Sequence, residues 1–392
     1  MFSAITMDKR QLLVLCIATG LVIFQGSTSV GVLPVYAVQM GADSAATGLL
    51  LAVGFFAVMT GNIIGGWLSD RVGHRKLILL ISLALWIPAA LLMTQATNVS
   101  QLTLLLGLKW IPGGVANAMI VTITGLSAAE KERGRVFGLA AMAGSIGGLL
   151  TGVVSGPLAA RWGFPALFVV MAALVAVNLV VAIFVKDPTV EPKAAPSVTT
   201  SSVPVGRLFY LIVIANMLAR LGAFTSDLGR PLAMTELQFD AAAVSSAIAV
   251  SSAVTLPLPL ILGWLSDRLG RKRFLTISYA VGAVGVLLLI PASSLWQFWL
   301  SATLVSAIIS TNGVAQAYIA DLVPPQAMGR SISLLITTSF LAGILGLSGG
   351  GYVMEALGRN TTLFLGASLV VCGIGLLQVL RQPVPNPEAA LP

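Results

Sequence analysis

Twelve long apolar runs, separated by short polar breaks, constrain this chain more than any single residue does. They lie near residues 12–38, 46–68, 77–97, 102–126, 136–159, 166–186, 208–230, 243–265, 274–292, 297–322, 331–356 and 361–380. About 20 mostly apolar residues in a helix cross the ~30 Å hydrocarbon core of a bilayer. In lipid, backbone polar groups must be satisfied internally, which leaves helices and closed barrels as spanning structures. Runs of this length predict helices, and hence an all-α integral membrane fold. With 22 basic and 14 acidic side chains in 392 residues, the chain is 9% charged and 57% hydrophobic. Soluble domains carry about 25% charge. This composition excludes a soluble enzyme, a nucleic-acid binder and a secreted scaffold.

Lys9 and Arg10 ahead of the first run also describe a secretory signal. That run exceeds the roughly 7–15 residues of a signal core, lacks a small-residue cleavage site and precedes eleven further spans, so it is expected to stay as an uncleaved helix. With the amino terminus inside, seventeen basic residues fall in cytoplasmic segments: Lys9, Arg10, Arg71, Arg75, Lys76, Lys131, Arg133, Arg135, Lys186, Lys193, Arg207, Arg268, Arg271, Lys272, Arg273, Arg330 and Arg381. Only Arg161, Arg230 and Arg359 fall in outer loops. The positive-inside rule then predicts a multi-pass protein of the cell (inner) membrane with both termini cytoplasmic. The net charge of +8 is a consequence of this topology and implies no nucleic-acid partner.

Cys16 and Cys372 lie inside apolar runs and His74 is the lone histidine. A disulfide framework, a metal site and a catalytic triad all lack their residues. No enzyme activity and no cofactor are expected.

Residues 187–206 are rich in Pro, Ser and Thr and read as a cytoplasmic linker. It separates an amino-terminal set of six spans (1–186) from a carboxy-terminal set (207–392). The two sets repeat one another. Gly66-Trp67-Leu68-Ser69-Asp70-Arg71-Val72-Gly73-His74-Arg75-Lys76 returns as Gly263-Trp264-Leu265-Ser266-Asp267-Arg268-Leu269-Gly270-Arg271-Lys272-Arg273, 197 residues on. Gly134-Arg135 returns as Gly329-Arg330 at an offset of 195. Two matches at nearly one offset indicate a duplicated six-helix unit.

These residues resemble the major facilitator superfamily, whose loop between the second and third helices reads G-x-L-[AS]-D-R-x-G-[RK]-[RK]. Gly66, Leu68, Ser69, Asp70, Arg71, Gly73 and Arg75 match it, with His74 replacing one basic residue, and the copy from Gly263 to Lys272 matches more fully. The resemblance implies twelve transmembrane helices in two six-helix bundles, related by a pseudo-two-fold axis along the membrane normal. It also implies a latch between the bundles at Asp70 and Arg71, and extends a gating role to Gly66, Gly73, Arg75, Gly263, Asp267, Arg268 and Gly270. Read physically, Gly66 and Gly263 permit close helix approach and Gly73 and Gly270 a tight turn. The loop cations would also orient the chain without gating anything.

Polar side chains within spans are costly and face cavities or partner helices. Here they are Gln25, Asn62, Lys109, Asn117, Asn178, Asn216, Arg220, Asp227, Asn312 and Gln316, concentrated in spans 1, 4, 7 and 10. The resemblance implies that those four spans line a central cavity. Gln25, Lys109, Asn117, Asn216, Arg220, Asn312 and Gln316 are the substrate-binding candidates. Asn62 and Asn178 suit interhelical hydrogen bonding, and Trp110 and Tyr318 suit either ligand stacking or packing. Arg220 and Asp227 share a helix face and can neutralise one another, unless Asp227 sits in the outer headgroup layer. Lys109 either serves the site or snorkels to the outer surface.

Lys109 to Gly114 also resembles the R-x-x-x-G-x-G element of proton-coupled members, with lysine for arginine. Gly144, Gly148, Gly152 and Gly156 form a stripe for close packing or sliding. The antiporter signature G-P-x-x-G-G is degraded at Thr151 to Gly156. If protons drive transport, Lys109 or Asp227 must carry them; otherwise the chain is a uniporter or uses another ion.

The leading expectation is a monomeric secondary-active transporter that moves small drug-like or amphiphilic solutes outward by alternating access. A second is transport of an anionic metabolite, which gains if Lys109 and Arg220 face one another across the cavity with Asp227 elsewhere. A third is a receptor or scaffold on the same fold, which short loops and the lack of an appended soluble domain disfavour.

Overall fold

A computed structural model describes residues 7–129, 132–188, 206–323 and 327–379. Among them the chain is helical with short connections. The helices are α1 (Lys9–Gly31), α2 (Leu33–Gln39), α3 (Ser44–Val72), α4 (Arg75–Leu92), α5 (Val99–Ser127), α6 (Arg133–Leu150), α7 (Gly156–Ile183), α8 (Arg207–Glu236), α9 (Ala241–Thr255), α10 (Leu258–Leu269), α11 (Arg271–Leu288), α12 (Leu295–Ser310), α13 (Asn312–Leu322), α14 (Met328–Leu357) and α15 (Arg359–Val379). A π-helical turn at Thr151–Ser155 joins α6 to α7.

Fifteen helices make twelve spans. Nine stretches of the described residues are long and apolar enough to cross a membrane. One of them, Arg133–Ile183, reverses at Gly163, whose backbone is non-helical (φ 82°), and so supplies two spans. The pair α9–α10, broken at Leu256-Pro257, and α11 complete the set. Spans 1, 8 and 10 are each built of two consecutive helices, the kind of discontinuity that membranes tolerate where backbone is covered by protein or lines a cavity. The proposed linker falls mostly outside the described residues.

The sequence repeat extends into backbone and capping. Gly73 and Gly270 both adopt positive φ, 72° and 83°, which glycine alone reaches without strain, and turn the chain between antiparallel helices. Gly163 and Gly358 do the same, both at 82° and 195 residues apart. Asp43 caps α3 by accepting from Ala46 N at 2.7 Å, and Asp240 caps α9 by accepting from Ala243 N at 2.8 Å. Lys76 Nζ donates to Ile183 O at 2.6 Å, and Lys272 Nζ, one position earlier in the second copy, to Gln378 O at 3.2 Å. Caps of this kind satisfy amides that a helix start leaves orphaned. Each half is therefore a six-helix bundle closed by the same local devices.

Glycine sets the closest helix contacts, but Gly66 does not take part in them. A Cβ on Gly66 would meet nothing within 4 Å. On the same helix, Gly61 would meet Ile111 O at 2.2 Å and Gly65 would meet Ala118 Cβ at 2.9 Å. The face of α3 that packs on α5 runs through 61 and 65, and Gly66 lies off that stripe. The expected close approach is thus displaced by one residue.

Candidate functional site

The two bundles meet at the end remote from the basic loops. There Gly48 of α3 faces Leu347 and Gly351 of α14, where an added Cβ would lie 2.3 Å from Leu347 O. The glycine stripe of span 5 packs on α9 in the same way: a Cβ on Gly152 would meet Ala249 at 2.4 Å and one on Gly156 would meet Ser245 Oγ at 2.0 Å. Ser245 Oγ donates across this seam to Gly152 O at 2.9 Å. A π-helical turn interrupts the regular helical ladder and frees carbonyls, so the turn at Thr151–Ser155 supplies the acceptor for this bond. Glu355 of α14 accepts from Ser44 N, at the start of α3, at 3.1 Å. Arg359 pairs with Glu236 at this end.

Below the seam the bundles part around a cavity of about 1230 Å³. Its wall runs from Asp227 and Arg230 near the closed end to Gly134, Ser266 and Arg271 beside the basic loops. Leu51, Phe55, Val58, Trp110 and Phe224 give it an apolar middle. Phe55 and Phe224, from opposite bundles, meet edge to face at 5.0 Å between centroids. Trp110 tilts against Trp86 at 5.3 Å. A large apolar chamber with a few fixed polar groups suits a small organic ligand.

Four of the seven substrate-binding candidates line this chamber: Asn117, Arg220, Asn312 and Gln316. Asn117 and Asn312 lie 195 residues apart, one from each bundle. Asp227 also lines it. Gln25 and Asn216 are buried elsewhere, 1% and 2% exposed, and Gln25 Nε2 donates to Met171 O at 2.7 Å. Lys109 is fully buried behind the wall. Its Nζ donates to Ser29 Oγ at 3.2 Å and lies 5.0 Å from the Trp110 ring centroid. Both Ser29 and Trp110 line the chamber, so Lys109 touches it through them. Snorkelling to the outer surface is not what Lys109 does.

The charge pairing differs from the expected one. Asp227 faces Arg230 at 3.4 Å and not Arg220. Arg230, expected in an outer loop, is 9% exposed within α8, which continues through Pro231 to Glu236. The apolar run was expected to end at residue 230, which left Arg230 at the outer edge, whereas the helix runs six residues farther. The signal that could have revealed it is the three-residue spacing from Asp227, which puts the pair on adjacent helix positions. Arg220 is 7% exposed, and its Nε and Nη2 have no hydrogen-bond partner among the described residues. Lys109 and Arg220 do not face one another across open space. Of that arrangement only the displacement of Asp227 from Arg220 is met.

Asn117 Nδ2 donates to Asn62 Oδ1 at 3.0 Å, and Asn178 Nδ2 to Ala18 O at 3.4 Å. Tyr318 is buried and is not in the wall. At the basic end, Asp70 is exposed, Arg71 lies 4.9 Å over the Trp67 ring, and Arg75 Nε donates to Ser69 Oγ at 3.0 Å. Arg71 and Arg268 each occupy the last turn of their helix, where the dipole favours a cation. The side chain of Asp267 and the surroundings of Gly263 lie outside the described residues. Arg271, at the chamber mouth, pairs with Asp321 at 2.8 Å.

A family model for the Major Facilitator Superfamily matches residues 15–226 and again residues 212–392. The multidrug resistance protein MdtG of Salmonella arizonae is 31% identical over 287 residues, 68% of each chain. The class E tetracycline resistance protein of Escherichia coli is 25% identical over 313 residues, 76% of each. Among solved structures, the nucleoside transporter NupG superposes with a TM-score of 0.76 at 17% identity, covering 96% of this chain and all of NupG. That last likeness speaks for the fold alone.

Proposed function

We propose, from the premise that this chain belongs to the Major Facilitator Superfamily, that it exports small amphiphilic or drug-like solutes by secondary-active alternating access. The family membership makes it a multi-pass membrane transporter of small solutes and not an enzyme. The carrying observation for the finer reading is the chamber shared by both bundles, sealed at one end and reaching the basic loops at the other. A state closed on one side and open on the other is one half of an alternating-access cycle. The predominantly apolar wall supports an amphiphilic solute. Export is supported by the relatives named for multidrug and tetracycline resistance.

In this reading the protein is a monomer of the cell (inner) membrane with both termini cytoplasmic, and the chamber opens to the cytoplasm. With Arg230 embedded, the loop cations are still more one-sided than the sequence count. Residues 1–186 and 207–392 form the moving bundles and 187–206 the cytoplasmic linker. The seam at Gly48, Gly152 and Gly351 is the outer gate. Asp70, Arg71, Arg75, Asp267 and Arg268, with the turns at Gly66, Gly73, Gly263 and Gly270, form the inner one. Protons are the coupling ion, carried by Asp227 on the wall or Lys109 directly behind it.

Reconstituted vesicles provide the test. A pH gradient should drive a fluorescent amphiphile against its own gradient, and Gly48→Leu, which drives a side chain into the Leu347 carbonyl, should abolish the movement while the protein remains in the membrane. Equal movement in protein-free vesicles, or undiminished movement with Gly48→Leu, would overturn the reading.

A further inference from the structure

We propose that Arg220 is a docking point for an oxyanion, so that the solute carries a carboxylate-like group on an apolar or aromatic body. The inference rests on the chamber being a solute path. It starts from an imbalance of embedded charge. The wall carries Arg220 and Arg230 against Asp227 alone, with Lys109 directly behind Ser29. Arg271 at the mouth has Asp321. Asp227 faces Arg230, which leaves Arg220 without a carboxylate partner among the described residues.

An unpaired guanidinium enclosed in a membrane bundle is costly, and such groups mark substrate paths. The unpartnered atoms of Arg220 are Nε and Nη2, the side-on edge of the guanidinium. That edge carries two parallel N–H bonds, the fork that matches a carboxylate or phosphate oxygen pair; both atoms are shielded in this state, and a turn of the guanidinium into the chamber that Arg220 lines offers them to a solute. Arg230 leaves the same two atoms unpartnered but already has a carboxylate at Nη1. Ten residues separate the two arginines, about 15 Å along the helix, so one small anion cannot bridge both. Arg220 is the uncompensated one.

The body of the solute follows from what adjoins Arg220. Phe224 lies one turn along α8 and meets Phe55 of the other bundle. Trp110 lines the same chamber. An oxyanion at Arg220 thus places an attached ring or chain on surfaces contributed by both bundles. A cationic solute finds only Asp227, which Arg230 already faces.

The test uses three matched probes and the purified full chain: naphthalene carboxylate, naphthalene carboxamide and naphthylmethylammonium, with binding read by calorimetry. The carboxylate should bind about tenfold or more tighter than the carboxamide, the gain of a charge-assisted fork over a neutral contact, and the ammonium most weakly. Arg220→Gln should collapse that ratio, and Arg220→Lys should retain part of it through charge without the fork. Carboxamide or ammonium binding as tightly as carboxylate in the native protein would overturn the assignment, with no variant needed. Vesicle exchange separates the two levels. Movement of all three probes without charge preference leaves the transport reading standing and removes the anion site, whereas movement of none removes both.

Discussion

The two bundles share a backbone plan and differ in how they treat embedded polar groups. In the amino-terminal bundle each has at least one partner at home: Gln25 donates to Met171 O, Lys109 to Ser29, Asn117 to Asn62 and Asn178 to Ala18 O. In the carboxy-terminal bundle α8 alone carries Arg220, Asp227 and Arg230, with guanidinium nitrogens left unpartnered on two of them. Duplication therefore preserved what closes a bundle, namely Gly73 with Gly270, Gly163 with Gly358 and Asp43 with Asp240. It did not preserve the charge. In the first bundle the unpartnered atoms are neutral, among them Gln25 Oε1, Asn62 Nδ2 and Asn178 Oδ1, whereas in the second they include charged guanidinium nitrogens of two residues that line the chamber.

The sharpest way to break this contrast is to remove one group from each side. Arg220→Ala should reduce movement of the naphthalene carboxylate about tenfold or more. Gln25→Ala should leave that movement within about twofold and cost about 1 kcal/mol of stability through its lost hydrogen bond. Vesicle exchange and thermal unfolding of both variants measure the two effects. Equal transport losses would mean that the bundles share the site's polar chemistry.

Lys109→Met comes next. The lysine is fully buried with a serine hydroxyl as its hydrogen-bond partner, and an apolar side chain of similar size escapes the desolvation cost of a buried charge. Melting temperature and probe affinity should therefore be retained. If Lys109 carries the coupling proton, accumulation driven by a pH gradient should be lost; persistence of that accumulation would leave Asp227 as the carrier.

Much of this arrangement was legible in the sequence, and the failures have local causes. Apolar run length and loop charge predicted twelve spans, and the repeated Asp-Arg-x-Gly motif predicted two bundles. Asn117, Arg220, Asn312 and Gln316 are on the chamber wall, because a polar group in a span needs either a cavity or a partner. That same rule cannot say which of the two a group has found. Gln25 and Asn216 are buried off the wall, and only the packing of neighbouring helices decides this. Arg230 was hidden because it falls at the end of the apolar run, whereas α8 continues through Pro231, whose one lost backbone bond a well-packed helix absorbs. The closeness of Gly48 to Gly351 depends on helices some 300 residues apart in sequence, which no local pattern encodes.

Asp227→Asn sharpens the contrast in the opposite direction. It removes the one acid facing Arg230 and should raise carboxylate affinity about threefold, with a steeper dependence on salt. An unchanged affinity would mean that Asp227 and Arg230 lie outside the field that the solute experiences.

A smaller effect is expected within the amino-terminal bundle. Asn62→Ala and Asn117→Ala should show a coupling of about 1 kcal/mol in a double-mutant cycle read by unfolding. The preference among the three naphthalene probes should not move in Asn62→Ala. A shift in that preference would place the amide pair in charge selection.

The smallest effect concerns the rim of the same bundle, where Lys186 Nζ and Asp8 Oδ2 pair at 2.6 Å. The hydrogen bond from Lys186, followed by the Arg10 amide, holds the Asp8 carboxyl below its ordinary 3.8. A carboxyl that is more acidic when folded adds stability above its ordinary value and loses it as pH falls through the lowered one. The pair is exposed, so the contribution is slight. The native chain should therefore lose more melting temperature than Asp8→Asn as pH is taken from neutral to below 3.8. Parallel losses would show that the span 1 to span 6 junction is held by the Gln11 bonds to the Lys186 backbone, at 2.9 and 3.0 Å, without help from the ion pair.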